Sequence, residues 1–536
     1  MRYRITRRLR ILGQWADVPA ADSCNHVVLA PAIDDPPPPS SIHAEGDGAP
    51  LGAEDASSRC SSPAGRRGRR WEGEVRASAT ARVKGVLALG APVAWRYLAI
   101  LVQFLVFLLV ARRLPVPDAA FYFSAFGVVT VASFTVGLGM PDGAVRQLPS
   151  FAAEQADEDA LELVRSVLRF AVATVSVPLV LLTILYTTSN RAGPSTMLVG
   201  LWWAGYCTVF TLAQLITGLG RPATGAFAAY SATNICYVCT VVPYLLLSPD
   251  PTLRGALATG VIAVAIACIG LAILLGRLLA PMRIRAGAFS VDPDSRTLMQ
   301  PRLRRSRVRR STSSTGSRHG RRALQDGLPI VCTRLLQSSL PWTPVWVLTI
   351  ISLPLEAATY AAASRFVVAA TAVIAALRFA VRPQVVVLFK ENKRSEIAQL
   401  SRRASKLAAV PPLLALGVLL VGGQEAMTYI LGEAYSGAGL VLMVLLLGVL
   451  GEAYGGVSDE ILKMIGQARI VIVTLTISVA LQLLGTLALA RVGVVAVAGV
   501  SALAFATQYL LQVEWLRRRA DMPIWRMPMR RNARTA

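Results

Sequence analysis

The chain has 536 residues, 54% of them hydrophobic and only 16% charged, and its mean hydropathy is +0.52. Its formal charge is +24, from 55 Lys and Arg against 31 Asp and Glu. In a soluble chain that excess would point to nucleic acid. Here the basic residues stand between apolar runs of twenty or more, the pattern that orients a polytopic membrane protein, so a soluble enzyme and a nucleic-acid binder are both set aside.

Residues 1–84 include "DDPPPPSS" and "EDASSRCSSPAGRRGRR" and hold few large apolar side chains. They are expected to form a disordered, basic, Pro-rich cytosolic tail, because such a composition cannot bury enough apolar surface to offset chain entropy. Apolar segments then follow at 86–110, 118–141, 163–187, 195–218, 222–247 and 255–280, a first lobe within 85–280. About 20 helical residues cover the hydrocarbon core at ~1.5 Å each. Residues 281–326 form a basic cytosolic inter-lobe loop with ten arginines between Arg296 and Arg322. Six more segments, at 327–351, 355–381, 404–424, 437–462, 468–490 and 492–515, make a second lobe (327–515), and 516–536 is a basic cytosolic C-tail. The expected fold class is an all-α polytopic membrane protein with about 12 transmembrane helices in two six-helix lobes.

Loop charge sets the orientation. With the N-terminus inside, the inside loops near 146–162, 219–222, 281–326, 382–403 and 463–469 hold nearly all the Lys and Arg. The outside loops hold only Arg112, Arg113, Arg191, Arg254 and Arg491, so both termini are expected in the cytosol.

The halves repeat. "DAAFYFSA" from Asp118 and "EAATYAAA" from Glu356 lie 238 residues apart, and the same offset carries "VAWRYL" at Val93 onto "VCTRLL" at Val331. It also places Arg96 over Arg334. Both halves begin on the cytosolic side, so the repeat is parallel, with an axis along the membrane normal. Two facing lobes with a cavity between them are a carrier architecture.

Ionisable residues inside spans mark candidate sites, since each costs at least ~2.5–3.5 kcal/mol at the bilayer centre. Arg96, Arg334 and Arg365 lie too deep to reach headgroups easily and are assigned to a wet central cavity. Arg165, Arg169 and Arg378 lie nearer the inner interface and are read as snorkelling. Glu452 is the main acid at matching depth and the candidate for coupling to H+ or Na+. Asp459, Glu460 and Lys463 are read as a solvated helix end. A cavity of unpaired arginines calls for an anionic guest, because guanidinium binds phosphate oxygens in pairs and keeps its charge. Cys236 and Cys239 form a lone CxxC in an apolar segment, and His26, His43 and His319 lie in polar segments, so no metal site is assigned.

"ARRLPVPDAAFYFSAF…GLGMPDGAVRQLPSF" resembles the first hairpin of the polysaccharide-biosynthesis flippases, of the multidrug/oligosaccharidyl-lipid/polysaccharide exporter superfamily. "YILGEAYSGAGLVLMVLLLG" and "LKMIGQARI" resemble its later motifs, and the similarity spans about 85–515. Ala119 and Ala120 depart from the family's aromatic and glycine, and the inter-lobe loop is unusually long and basic. The resemblance implies an exporter fold of the MATE and oligosaccharide-flippase type in the bacterial plasma membrane. It further implies a flippase that moves an undecaprenyl-diphosphate-linked saccharide by alternating access, with Arg96, Arg334 and Arg365 on the pyrophosphate and without a cofactor. Its partners would be the bilayer, a polysaccharide polymerase and glycosyltransferases, with no nucleic acid. A drug or organic-cation exporter of the same fold is the runner-up and would need acids in the cavity. A membrane polymerase or ligase would need a large outward loop, and the outward loops here are short. For 281–326, an electrostatic anchor to anionic lipid is preferred over a nucleic-acid arm.

Overall fold

A computed structural model describes residues 94–154, 156–188, 193–289, 315–522 and 524, all within one compact unit, Ala91–Ala536. Among these residues all regular structure is helical. The expected tail 1–84, the middle of the basic loop (290–314), Arg191 and the residues after 524 lie outside the described residues.

The first half comprises α1 (Ala94–Arg113), α2 (Val116–Ala132), α3 (Met140–Ala153), α4 (Asp157–Thr188), α5 (Pro194–Gly218), α6 (Pro222–Leu247) and α7 (Leu253–Phe289). The second comprises α8 (Thr315–Ser339), α9 (Thr343–Ile350), α10 (Pro354–Lys390), α11 (Arg394–Leu431), α12 (Ala438–Gly455), α13 (Ser458–Met464), α14 (Ala468–Leu489) and α15 (Val494–Arg519). Eleven helices among the described residues are long and apolar enough to cross a membrane. The predicted seventh span, 327–351, is not among them. It is split into α8 and α9 at Leu340–Trp342, where Pro341 lacks the amide that a continuous helix requires.

The 238-residue offset appears in the backbone. α2 begins at Val116 and α10 at Pro354, each with a proline in its first turn, where no amide bond is lost. Tyr122 and Tyr360, and the alanine pairs before them, are buried at matching positions. The acid-Ala-Ala-x-Tyr stretches therefore mark equivalent re-entries, and small alanines let neighbouring helices close over them.

In three expected loops the described residues are largely helix. α2 bends through a 3-10 turn at Ser133–Gly139, with Gly137 and Leu138 at positive φ, then continues as α3 into the predicted 146–162 loop as far as Ala153, and α4 takes up the rest from Asp157. α10 and α11 run so far that only 391–393 remains of the loop predicted at 382–403. α7 and α8 extend into the predicted loop at 281–326 from both sides. Positive charge marked these stretches as leaving the membrane, but charge does not end a helix.

Within the first half α5 packs on α3, α4 and α7; within the second α12 packs on α10, α11 and α15. The halves meet where α8 lies on α3 and its preceding turn, and where α9 and α10 lie on α2.

Candidate functional site

The contact between the halves has three tiers. At the end that loop charge assigns to the cytosol, α3 and α8 approach backbone to backbone: a Cβ on Gly143 would overlap the carbonyl of Ala323, and one on Gly327 the carbonyl of Gly139. Gly139 sits at φ +89, open to glycine at little cost. Beside this seam the Arg334 Nη1 donates to Asp142 Oδ1 at 2.8 Å, and the guanidinium lies over the rings of Phe134 (5.4 Å) and Phe210 (5.0 Å). Asp142 is buried, and its Oδ2 has no hydrogen-bond partner. Gln147 Nε2 donates to Asp326 Oδ2 at 3.4 Å, again from α3 to α8.

The middle tier is aromatic. The break at Pro341 turns Trp342 between Phe107 of α1 and Phe126 of α2, with ring centroids 6.3 and 5.9 Å away. Gly127 admits it, since a Cβ there would meet the indole at 2.5 Å. Arg365 of α10 is buried in this layer, its guanidinium 4.8 Å from the Phe107 centroid and 4.3 Å from that of Trp342. Its polar contact is a long one, Nη2 to Ser364 Oγ at 3.5 Å, and its Nε is unpartnered. Two cation–π contacts supply ~1–4 kcal/mol against a desolvation cost of several kcal/mol per ion, and among the described residues no carboxylate pairs with Arg365 to make up the difference. At the far end, Arg112 Nε donates to the Ile430 carbonyl at 2.6 Å and its Nη2 to that of Tyr429, joining α1 to α11.

The three predicted cavity arginines stand against different neighbours. Arg96 is half-buried, with its guanidinium 5.7 Å from the Tyr230 ring of α6, where a π turn at Phe227–Ala232 widens the helix. Ser231 there donates to the Trp95 carbonyl at 2.7 Å. Arg334 is paired with Asp142, and Arg365 is a buried guanidinium with no carboxylate paired to it among the described residues.

Two predicted environments are corrected. Arg378, read as snorkelling, is turned inward with its side chain 11% exposed: Nη2 lies 2.8 Å from Glu452 Oε1 and donates to the Tyr509 hydroxyl at 2.7 Å, and Nε lies 3.2 Å from Asp459 Oδ1. Asp459 and Glu460, read as a solvated helix end, are 2% and 3% exposed, and Lys463 reaches both at 3.3 Å. The cause is local. Gly456, at φ +61, ends α12 and turns the chain into the short α13, whose Asp459 meets Arg378. Glu452 therefore lies inside the second half, also accepting from Tyr509 at 3.1 Å, and not between the halves. Arg165 and Arg169 are exposed.

Asp142 was missed because the second span was ended at 141. The helical spacing of Met140, Ala144, Leu148 and Phe151, all buried, is the signal that would have extended it.

No protein-family profile and no curated protein matches the chain. Solved structures do. One is an inward-facing multidrug-resistance MATE family transporter of the MOP superfamily, at 13% identity and TM-score 0.60, covering 81% of this chain and 98% of the other. A second is a MOP superfamily transporter from Pyrococcus furiosus whose binding pocket is described as of reverse polarity, suggesting a different function. It has 14% identity and TM-score 0.54, and covers 82% and 96%. A third is a MATE transporter from Vibrio cholerae, with 15% identity, TM-score 0.50 and coverage of 80% and 96%. The chain has the all-α fold of these membrane transporters, nearly over their whole length.

Proposed function

We propose that the chain is a membrane exporter carrying amphipathic organic compounds by alternating access of its two halves. The observation that carries this reading is the three-tiered contact: a polar and glycine-lined seam at one end, a single arginine anchor at the other, and an aromatic layer between. Breaking one end while the other holds would open the aromatic layer to one side at a time. Aromatic faces around one fixed charge suit a guest with an apolar body and a polar head. The multidrug reading, second on sequence grounds, is the better supported of the two, because MATE transporters share the fold.

The flippase reading rests on Arg365. A guanidinium with two ring faces and no carboxylate favours an anion over an organic cation, and a lipid-linked diphosphate has the matching oxygens. The Pyrococcus likeness supports treating pocket polarity as a variable of this fold. The undecaprenyl-diphosphate saccharide, the polymerase, the glycosyltransferases and the bacterial inner membrane with cytosolic termini belong to that reading. For Glu452, its engagement with Arg378 and Tyr509 supports a structural role rather than H+ or Na+ coupling.

Proteoliposomes separate the readings. Fluorescent organic cations, organic anions and a lipid-diphosphate saccharide are offered in turn to wild type and Arg365→Ala. The multidrug reading expects organic amphipaths to accumulate in wild type and to drop by about tenfold or more in the variant, the cost of losing one buried charge contact. Movement of the lipid-diphosphate alone would instead favour the flippase. Folded protein moving none of the three would overturn both.

A further inference from the structure

We propose that α4 and α7 together hold the headgroup of an anionic phospholipid at the cytosolic end of the first half. The two helices are antiparallel neighbours, and their register is pinned where Asp157, the first residue of α4, meets Arg285 of α7 at 2.9 Å. Eight residues further into the bundle on each helix, about 12 Å, stand Arg165 and Arg277. Both are exposed, and by that register they lie at one depth. Arg169 follows one turn deeper on α4, also exposed.

These arginines lie on the outward faces of their helices. Arg165 and Arg169 continue, at helical spacing, the exposed stripe of Val172 and Val180; Arg277 continues that of Ile269 and Ile273. Beyond Arg169 on α4, and before Arg277 on α7, the chain carries no charge for 18 residues or more. Each stripe thus changes from aliphatic to guanidinium where the hydrocarbon layer would give way to phosphates. Among the described residues none of the three has an ion-pair partner, and Asp157, the acid that ties the helices, is already taken by Arg285. Three fixed positive charges on two adjacent lipid-facing helices, bordered by apolar side chains, match an acyl lipid with a negative head. Guanidinium groups from both sides could share its phosphate oxygens in bidentate fashion. The inner-leaflet assignment rests on loop charge, and the site itself does not depend on the transported substrate.

The test compares lipid retention by purified full-length protein in native mass spectrometry, with phosphatidylglycerol and phosphatidylethanolamine as probes. Wild type is expected to keep phosphatidylglycerol selectively. The triple variant Arg165→Gln, Arg169→Gln, Arg277→Gln should lose it on the order of tenfold or more. A control that removes the same charge from exposed positions elsewhere at the same end, Arg403→Gln, Lys406→Gln, Arg469→Gln, should retain it. Equal retention by both variants, or equal loss in both, would overturn the site. Wild-type protein gives a second measure: phosphatidylglycerol vesicles should raise its melting temperature above that in phosphatidylethanolamine vesicles, and an unchanged value would count equally against the proposal.

Discussion

Asp142 and Arg334 answer each other across the halves, and neither is well placed alone. In Asp142→Asn the guanidinium keeps its two phenyl faces but loses its neutralising charge, and in Arg334→Gln a buried carboxylate is left unpaired. Each single variant is expected to cut transport by about tenfold or more, and the double variant to recover part of the loss, since removing both charges leaves none uncompensated. Strictly additive losses in that cycle would mean the pair is not coupled. Asp459 makes a prediction in pH. Burial would push its carboxyl up, but the Arg378 guanidinium and Lys463 ammonium beside it hold it below the ordinary carboxylate value. The folded state then binds this proton less readily than the unfolded one. Its contribution is complete above the unfolded value of ~3.9 and is lost as pH falls through the lower folded value. Melting temperature should therefore carry no Asp459 effect between pH ~5 and ~8 and should fall below pH ~4. Asp459→Asn should flatten that acid limb, and an unaltered limb would assign it to other groups.

The α3–α8 seam shows how an element can be a moving part. Gly139 and Gly143 on one side, with Ala323 and Gly327 on the other, leave no room for side chains, so any bulk added there must hold the helices apart. In a Gln147→Cys, Asp326→Cys background, a short thiol-to-thiol cross-linker should join α3 to α8, because the native side chains already meet at their tips. Adding Gly143→Val should abolish that link while leaving the protein in the membrane, and undiminished cross-linking would show that the seam tolerates bulk and does not gate. Helix identity was legible in the sequence because apolar runs of about 20 residues have few other destinations. Helix ends were less so. The predicted loops at 146–162 and 382–403 were assigned from charge, yet α3, α10 and α11 carry those charges on helical turns. The split at Pro341 was legible in principle, but what it does, turning Trp342 onto Gly127 and Arg365, depends on neighbours more than 200 residues away in one case.

Among the described residues, the halves touch at both ends and in the middle, on either side of the aromatic layer. Arg365 is a buried guanidinium with no ion pair among the described residues. A transported anion entering that layer would supply the missing charge, whereas a neutral amphipath would rely on the ring faces alone, and the proteoliposome comparison measures this difference. The sequence by itself determined a multi-span helical protein, its loop-charge asymmetry and its two-fold repeat, because these depend on composition and period along the chain. It marked Arg96, Arg334 and Arg365 alike as charges inside spans. Tertiary structure alone decided which charges are paired. Arg334 found Asp142, and Arg378 gathered Glu452 and Asp459, through helices that only packing brings together. A buried ion's cost is a property of its surroundings, and no spacing along the chain reports which carboxylate will stand beside it.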